Sequence, residues 1–270
     1  MNGPCDHDPF DTLRAHTRSA RLVRTPGLPQ CFLGGLAGFA AYDSVRYAHP
    51  DKLPFDSAPP DDRRLPDLCF GVYDAVVVFD HAERVVVVVG LARLTPGLDA
   101  GGAYDACLSR VQGVIATLNR HAEPLASGEL PPDAPPPVLA SNMTRQQHAA
   151  MLDKALEYIR AGDIFQVVLA QRFDFELDAD PFDVYRVLRQ INPSPYMYLV
   201  RLPEVTLVGS SPEPMVQLLE GEVISRPIAG TRYRGNTEEE DRRLGAELRE
   251  HPKEIAEHVM LVDLARNDVG

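Results

Sequence analysis

The chain contains 270 residues, with 27 Lys and Arg residues against 39 Asp and Glu residues, and a formal net charge of −12. This acidic balance argues against a nucleic-acid-binding protein, because such proteins neutralise phosphates with clustered Lys and Arg. A hydrophobic content of 44% is enough for a substantial core. No apolar run approaches the roughly eighteen residues of a membrane-spanning helix, so no membrane segment is predicted.

The N-terminus and the cysteines both favour a cytoplasmic protein. The first residues carry neither the basic stretch nor the apolar stretch of a secretory signal. Cys5, Cys31, Cys69 and Cys107 are scattered without CxxC spacing, which is typical of reduced thiols rather than a disulfide framework or a zinc site. We therefore expect a cytoplasmic location.

The first elements in chain order indicate a sheet covered by a helix. Residues 31–42 are glycine-rich and apolar, but they contain neither GxGxxG nor GxxxxGK, so close backbone packing in a sheet is favoured over a phosphate loop. The β-branched runs 68–79 and 85–89 predict a hairpin with buried strands. Residues 103–118 have apolar residues at helical spacing and are expected to pack on that sheet.

A change in composition predicts the domain organisation. Residues 121–138 are dense in Pro, Gly and Ser, as in an exposed linker. We predict an N-terminal region at 1–120, a linker at 121–140 and a second region at 141–270.

Three helix starts are predicted in the second region. Thr144 with Gln147 forms a capping-box pattern, and the helix that follows should end at Gly162. Thr237 with Glu240 predicts a second capping box, and Asp180 followed by proline starts a further helix.

Strands alternate with these helices. Residues 164–175 predict a strand, in which Phe165, Val167 and Leu169 alternate with Gln166, Val168 and Ala170. Residues 196–202 and 206–210 predict two more strands. Residues 215–219 and 223–227 predict a hairpin around a Glu-Gly turn. The predicted fold class is therefore α+β.

The last predicted helix, residues 251–270, carries acids on one face. At about 100° per residue, Glu254, Glu257, His258 and Leu261 share a stripe. Carboxylates three residues apart can point at a common cation, and oxygen ligands suit Mg²⁺. A solvated acidic face is the alternative interpretation of this helix alone.

Four stretches together are more specific than any one of them. They are GDIFQVVLAQRF at 162–173, NPSPYMYLV at 192–200, RPIAGTRYRG at 226–235 and KEIAEHVMLVDLARND at 253–268. In this order they resemble the chorismate-utilising enzymes, and most closely the large subunits of anthranilate synthases. The resemblance implies that family's sandwich of antiparallel sheets and helices. Because the family extends beyond both ends of this chain, we expect the fold to be incomplete and the chain truncated at both ends.

Gln166 and Ala229 indicate the branch of the family. Members that use water instead of ammonia carry a lysine at the first position, where it can serve as a general base. Aminodeoxychorismate synthases usually carry a lysine at the second position. The resemblance therefore implies an ammonia-using lyase that forms anthranilate and pyruvate in tryptophan biosynthesis. Aminodeoxychorismate synthase or another chorismate-utilising enzyme is the closest alternative.

The resemblance also implies site residues. Gly230 and Thr231 would contact chorismate, the first by close backbone approach and the second through its hydroxyl. Glu257 would be a Mg²⁺ ligand with Glu254 nearby, and both are candidate catalytic residues together with Gln166.

Pro195, Tyr196 and Met197 match part of the family's tryptophan feedback site. From sequence physics alone, these residues would be read as a turn followed by an edge strand. The resemblance further implies a glutamine amidotransferase partner subunit that supplies ammonia. We expect the 270-residue chain by itself not to catalyse the reaction. A hypothesis of another class is a non-catalytic remnant that binds a ligand or a partner.

Overall fold

The computed structural model of the chain describes residues 8–19, 21–97, 99–120 and 135–270. The chain divides into two compact units, one formed by Met1–Ala126 with Val200–Thr206 and the other by Ser127–Leu199 with Leu207–Gly270. Most of the predicted linker, residues 121–134, lies outside the described residues. The predicted boundaries at 1–120, 121–140 and 141–270 therefore stay a prediction.

The N-terminal part of the chain combines two antiparallel strand pairs with helices. β1 pairs with β2, and β3 pairs with β4. In chain order the elements are α1 (Pro9–Arg18), β1 (Gly35–Ala40), α2 (Val45–Ala48), β2 (Leu68–Tyr73), β3 (Ala75–Asp80), β4 (Val85–Gly90) and α3 (Ala100–Arg120). Short 3₁₀ turns occur at Tyr42–Ser44 and Phe55–Ser57.

The predicted strand at 68–79 is wrong as a single element, because the run is divided at Asp74. The two halves belong to different strand pairs, and the chain bends between them. The Asp74 carbonyl accepts a hydrogen bond from the Leu91 amide at 2.7 Å, and its carboxylate accepts one from Arg93 Nε at 2.7 Å. These contacts hold the bend at Asp74. The predicted hairpin itself is confirmed between β3 and β4. Its strands are not buried as predicted, because Phe79 and Val86 are 60% and 52% exposed and only Val89 is buried.

The glycine-rich run does pack closely in a sheet, as predicted. β1 runs alongside β2 with Gly38 opposite Phe70. A Cβ atom at Gly38 would overlap the carbonyl oxygen of Cys69, so only glycine fits there.

Helix α3 lies on strand β4 and forms the core of this part of the chain. The buried hydrophobic residues of this core are Leu33, Val89 on β4 and Ala103 on α3. A Cβ atom at Gly90 would lie 2.7 Å from both Cys107 Sγ and Val111 Cγ2. The predicted packing of a helix on the sheet is therefore confirmed, with helix and strand in direct contact at Gly90.

The described residues after α3 form three further strand pairs, which are β5 with β6, β7 with β8, and β9 with β10. In order, its elements are β5 (Ala140–Ser141), α4 (Arg145–Ala161), β6 (Phe173–Asp174), α5 (Pro181–Ile191), β7 (Tyr196–Arg201), β8 (Thr206–Ser211), β9 (Gln217–Leu219), β10 (Glu222–Ile224), α6 (Glu238–Glu250) and α7 (Pro252–Val269). The predicted α+β class is confirmed.

The two predicted capping boxes differ in the structure. Thr144 and Gln147 form the complete box at α4, with side chain and backbone bonded in both directions at 2.8 Å and 3.2 Å. At α6 the Thr237 hydroxyl accepts from the Glu240 amide at 3.2 Å. The Glu240 carboxylate, however, accepts from the Asn236 amide at 2.8 Å instead of from Thr237. The second box is therefore only half formed.

The predicted strand at 164–175 is wrong over most of its length. Only Phe173–Asp174 is a strand, paired with Ala140–Ser141. The side chains of Phe165 and Val168 are 79% and 84% exposed. Alternating side chains stabilise a strand only where a neighbouring strand takes up the backbone hydrogen bonds. Among the described residues, no strand pairs with 164–172, although the Asn142 amide donates a hydrogen bond to the Arg172 carbonyl at 3.1 Å.

Two expectations, on the cysteines and on membrane-spanning helices, have partial answers. Cys31, Cys69 and Cys107 are free thiols, as predicted, while Cys5 lies outside the described residues. Within the described ranges, no helix is both long and apolar enough to cross a membrane.

The contact at Gly90 gives a test of the packing of α3 on β4. Gly90→Ala places a methyl group against Cys107 and Val111, and should lower the free energy of unfolding by about 1–3 kcal/mol. Gly113→Ala, at an open position in α3, should instead raise it by about 0.5–1 kcal/mol, because alanine favours the helix. Urea titrations of both variants measure the difference, and equal effects would contradict this packing.

Candidate functional site

Helix α7 turns its acidic face, and not its apolar face, toward the protein. The helix spans Pro252–Val269 with proline in its first turn, as predicted. Glu254, Glu257 and Leu261 are half-buried. Ile255 and Val259, on the apolar face, are 45% and 61% exposed. The Glu254 and Glu257 carboxylates are therefore not a solvated surface stripe, although His258 of the predicted stripe is exposed.

The Gly230 turn lies against Glu254. Gly230 has φ of 69°, in the left-handed region that favours glycine. A Cβ atom there would lie 2.8 Å from Glu254 Oε2 and 3.0 Å from Leu248 Cδ1. Glycine is thus required twice, once for its backbone angle and once for space. Thr231, the next residue, is exposed.

Arg232 joins this turn to the two last helices. Its Nη1 atom lies 3.5 Å from Glu254 Oε1 on α7, and its Nε atom lies 3.5 Å from Glu247 Oε1 on α6. Nη1 also donates a hydrogen bond to the Thr231 carbonyl at 2.9 Å. Sequence reasoning missed Arg232 and Glu247. The only signal was the position of Arg232 directly after the Gly-Thr pair, since nothing local identifies its acidic partners.

Glu257 has no such partner among the described residues. Its carboxylate takes part in no hydrogen bond or ion pair there, although the residue is half-buried. The described part of the chain brings together no group of three or more His, Cys, Asp or Glu side chains that could hold a metal ion. Mg²⁺, however, usually takes only one or two protein carboxylates, with water and substrate oxygens completing its shell. Glu257 with Glu254 beside it fits that requirement.

Gln166 is far in sequence from the Gly230 turn and from α7. It is exposed in the irregular segment 164–172, where a strand was predicted. Within the described residues its side chain makes no hydrogen bond to the Gly230 turn or to α7. Ala229, by contrast, belongs to the turn itself as the neighbour of Gly230.

Pro195, Tyr196 and Met197 lie where β7 begins. Tyr196 and Met197 are the first two residues of that strand, with Tyr196 exposed and Met197 half-buried. The Ser210 hydroxyl donates a hydrogen bond to the Asn192 carbonyl at 2.7 Å, which fixes the turn before the strand. The turn and strand expected from sequence physics are therefore present. The tryptophan site stays a prediction.

A cavity of about 700 Å³ lies in the first unit. It is lined by residues from the end of α1, the segment 21–28, β1 and the segment 89–95. None of the predicted site residues lines this cavity, so it is separate from the site at the Gly230 turn.

Comparison with known proteins identifies the family of this chain. Residues 2–270 match the family described as chorismate binding enzyme. The chain belongs to this family. Its relatives include the anthranilate synthase alpha subunit 1 of Arabidopsis thaliana, which is 47% identical over 247 residues. The anthranilate synthase component 1 of Thermus thermophilus is 44% identical over 251 residues.

A solved structure supports the same membership. The crystal structure of anthranilate synthase component I from Streptococcus pneumoniae matches with a TM-score of 0.77 and 33% identity, covering 98% of this chain and 55% of that one. The chain spans about half the length of the curated relatives that it matches, 42% of the Arabidopsis protein and 51% of the Thermus protein, while those matches cover 90% and 93% of this chain.

The two requirements for glycine at position 230 can be separated by mutation. Gly230→Ala should cost the left-handed strain of about 1–2 kcal/mol and an additional penalty for displacing Glu254. Gly162→Ala is the matched control, because its φ is 81° but a Cβ atom there meets nothing within 4 Å. Urea unfolding of both variants should therefore show the larger loss for Gly230→Ala. Equal losses would mean that Glu254 does not lie against the turn.

Proposed function

We propose that this chain forms the chorismate-binding part of an anthranilate synthase large subunit. The proposed reaction converts chorismate and ammonia to anthranilate, pyruvate and water, which makes the enzyme a lyase of tryptophan biosynthesis. The contact between Gly230 and Glu254 carries the proposal, because it joins the loop expected to bind chorismate to the helix expected to bind Mg²⁺. The names of the relatives from Arabidopsis and Thermus support the same reaction.

The residues of the turn have separate proposed tasks. Gly230 leaves its backbone open to a substrate because it has no side chain, and the Thr231 hydroxyl is exposed and free to donate a hydrogen bond to a substrate oxygen. Ala229 offers no amine that could add to the ring, and the Gln166 amide offers no base that could activate water. Ammonia, which is already a nucleophile, is therefore the species that these residues suit.

Glu257 is the proposed Mg²⁺ ligand, with Glu254 beside it. When bound, the ion would offset the charge of the substrate carboxylate and help to orient the ring. The support for this assignment is the half-buried Glu257 carboxylate, which forms no ion pair in the described structure.

The remaining assignments follow from the same proposal. Ammonia would be supplied by a glutamine amidotransferase subunit, and tryptophan would bind near Pro195, Tyr196 and Met197 as a feedback inhibitor. We also propose that the enzyme acts in the cytoplasm, for which the acidic composition and free thiols are the support.

The reaction can be tested in a chimera in which this chain replaces the matching half of the Thermus relative. Supplied with chorismate, Mg²⁺ and ammonium, the chimera should form anthranilate, detected by its fluorescence and by chromatography. The 270-residue chain alone, assayed in parallel, tests the expectation that it does not turn over chorismate. Release of aminodeoxychorismate or isochorismate by the chimera would show that the assignment of the branch from Gln166 and Ala229 is wrong.

Glu257→Gln in the same chimera tests the metal assignment. Loss of a carboxylate ligand should raise the Mg²⁺ concentration for half-maximal rate by at least about tenfold and lower kcat, while circular dichroism stays unchanged. The control is Glu250→Gln, the same change at an exposed position at the end of α6, which should leave the Mg²⁺ dependence as it was. An unchanged Mg²⁺ requirement in Glu257→Gln would rule out this ligand.

A further inference from the structure

The two oxygens of the Glu254 carboxylate lie against the same short loop. Oε1 faces Arg232, at 3.5 Å from Nη1, and Oε2 lies where a Cβ atom of residue 230 would come within 2.8 Å. The Glu254 side chain is 15% exposed and that of Arg232 is 25% exposed. The carboxylate is thus mostly buried, with its one cationic partner on this loop.

The guanidinium is itself held from two other directions. Glu247 on α6 lies 3.5 Å from its Nε atom, and the Thr231 carbonyl accepts from its Nη1 atom at 2.9 Å. Arg232 therefore connects the loop, α6 and α7 through one charged group. A planar guanidinium can serve several acceptors at once, which the point charge of a lysine does less well.

We propose that Arg232 is a positioning residue that holds Glu254 against Gly230 and offsets its charge, so that Glu257 is the carboxylate that takes the divalent cation. This inference rests on the proposed function, since it concerns the same metal site. It assigns unequal tasks to two acids of the same helix face. Glu254 sets the shape of the substrate loop, and Glu257 binds the ion.

The inference predicts effects of opposite sign. Removing the positive charge leaves Glu254 uncompensated and free to turn, so that a divalent cation gains a second carboxylate and loses a repulsive neighbour. A single charge about 6 Å from a dication in a water-like medium changes its affinity by about tenfold. Turnover should nevertheless fall, because Glu254 no longer holds the loop. A purely structural defect would weaken both cation binding and turnover.

The experiment is a titration of the full 270-residue chain with Mn²⁺, with free Mn²⁺ measured by electron paramagnetic resonance. Arg232→Gln should lower the Mn²⁺ Kd by about tenfold. The double variant Arg232→Gln with Glu254→Gln should lose that gain. Arg232→Lys, which keeps the charge, should retain a Kd close to that of the original chain. Arg160→Gln, the same charge change at an exposed position in α4, should leave the Kd unchanged.

Weaker, unchanged or undetectable Mn²⁺ binding by Arg232→Gln overturns the inference. If Arg232→Gln does not fold, a Kd for folded Arg232→Lys several-fold above that of the original chain overturns it as well, and an unchanged Kd supports it. The titration involves no chorismate, so its outcome is independent of which product the chimera forms. In the chimera, Arg232→Gln should lower kcat, and an unchanged kcat would overturn the positioning role.

Discussion

The placement of the Glu254 carboxylate between Gly230 and Arg232 is the constraint on which the site depends. It needs a residue without a side chain and a cation, both on one loop, to meet an acid on α7. A half-buried carboxylate is costly unless hydrogen-bonded or paired with a cation, and Arg232 supplies that pairing. At 3.5 Å and partly exposed, the ion pair adds little stability. Its contribution is instead to fix where the carboxylate and the loop lie.

The rotation of α7 about its own axis accompanies this contact. Hydrophobic patterning alone would turn Ile255, Val259 and Val262 toward the protein. The structure turns Glu254 inward, and those apolar side chains are left exposed. In the described structure, this rotation places Glu254 beside Arg232 and the Gly230 turn and leaves the apolar face of α7 exposed.

The membership of the family gives this geometry a chemical meaning. A turn without a side chain beside a paired carboxylate suits close approach of an anionic substrate, with its charge offset by a cation. Ala229, on the same turn, contributes no reactive group, whereas the exposed Gln166 lies in a segment of irregular backbone. The turn and α7 thus form a local unit of the site, built from residues 229–257.

The sequence by itself determined the elements whose signals are local. The capping box of Thr144 and Gln147 and the proline at the start of α7 fix helix starts through contacts within one turn, so they could be predicted. The family motifs likewise pointed to Gly230 and Glu254. Only the tertiary structure decided what requires a distant partner. In the described residues, no strand pairs with the run at 164–172, so it does not form a strand. The chain contains 39 Asp and Glu residues, and the sequence does not indicate which of them contact Arg232. Strand pairing and ion pairing join residues that are far apart in sequence, and no local pattern encodes which residues will meet.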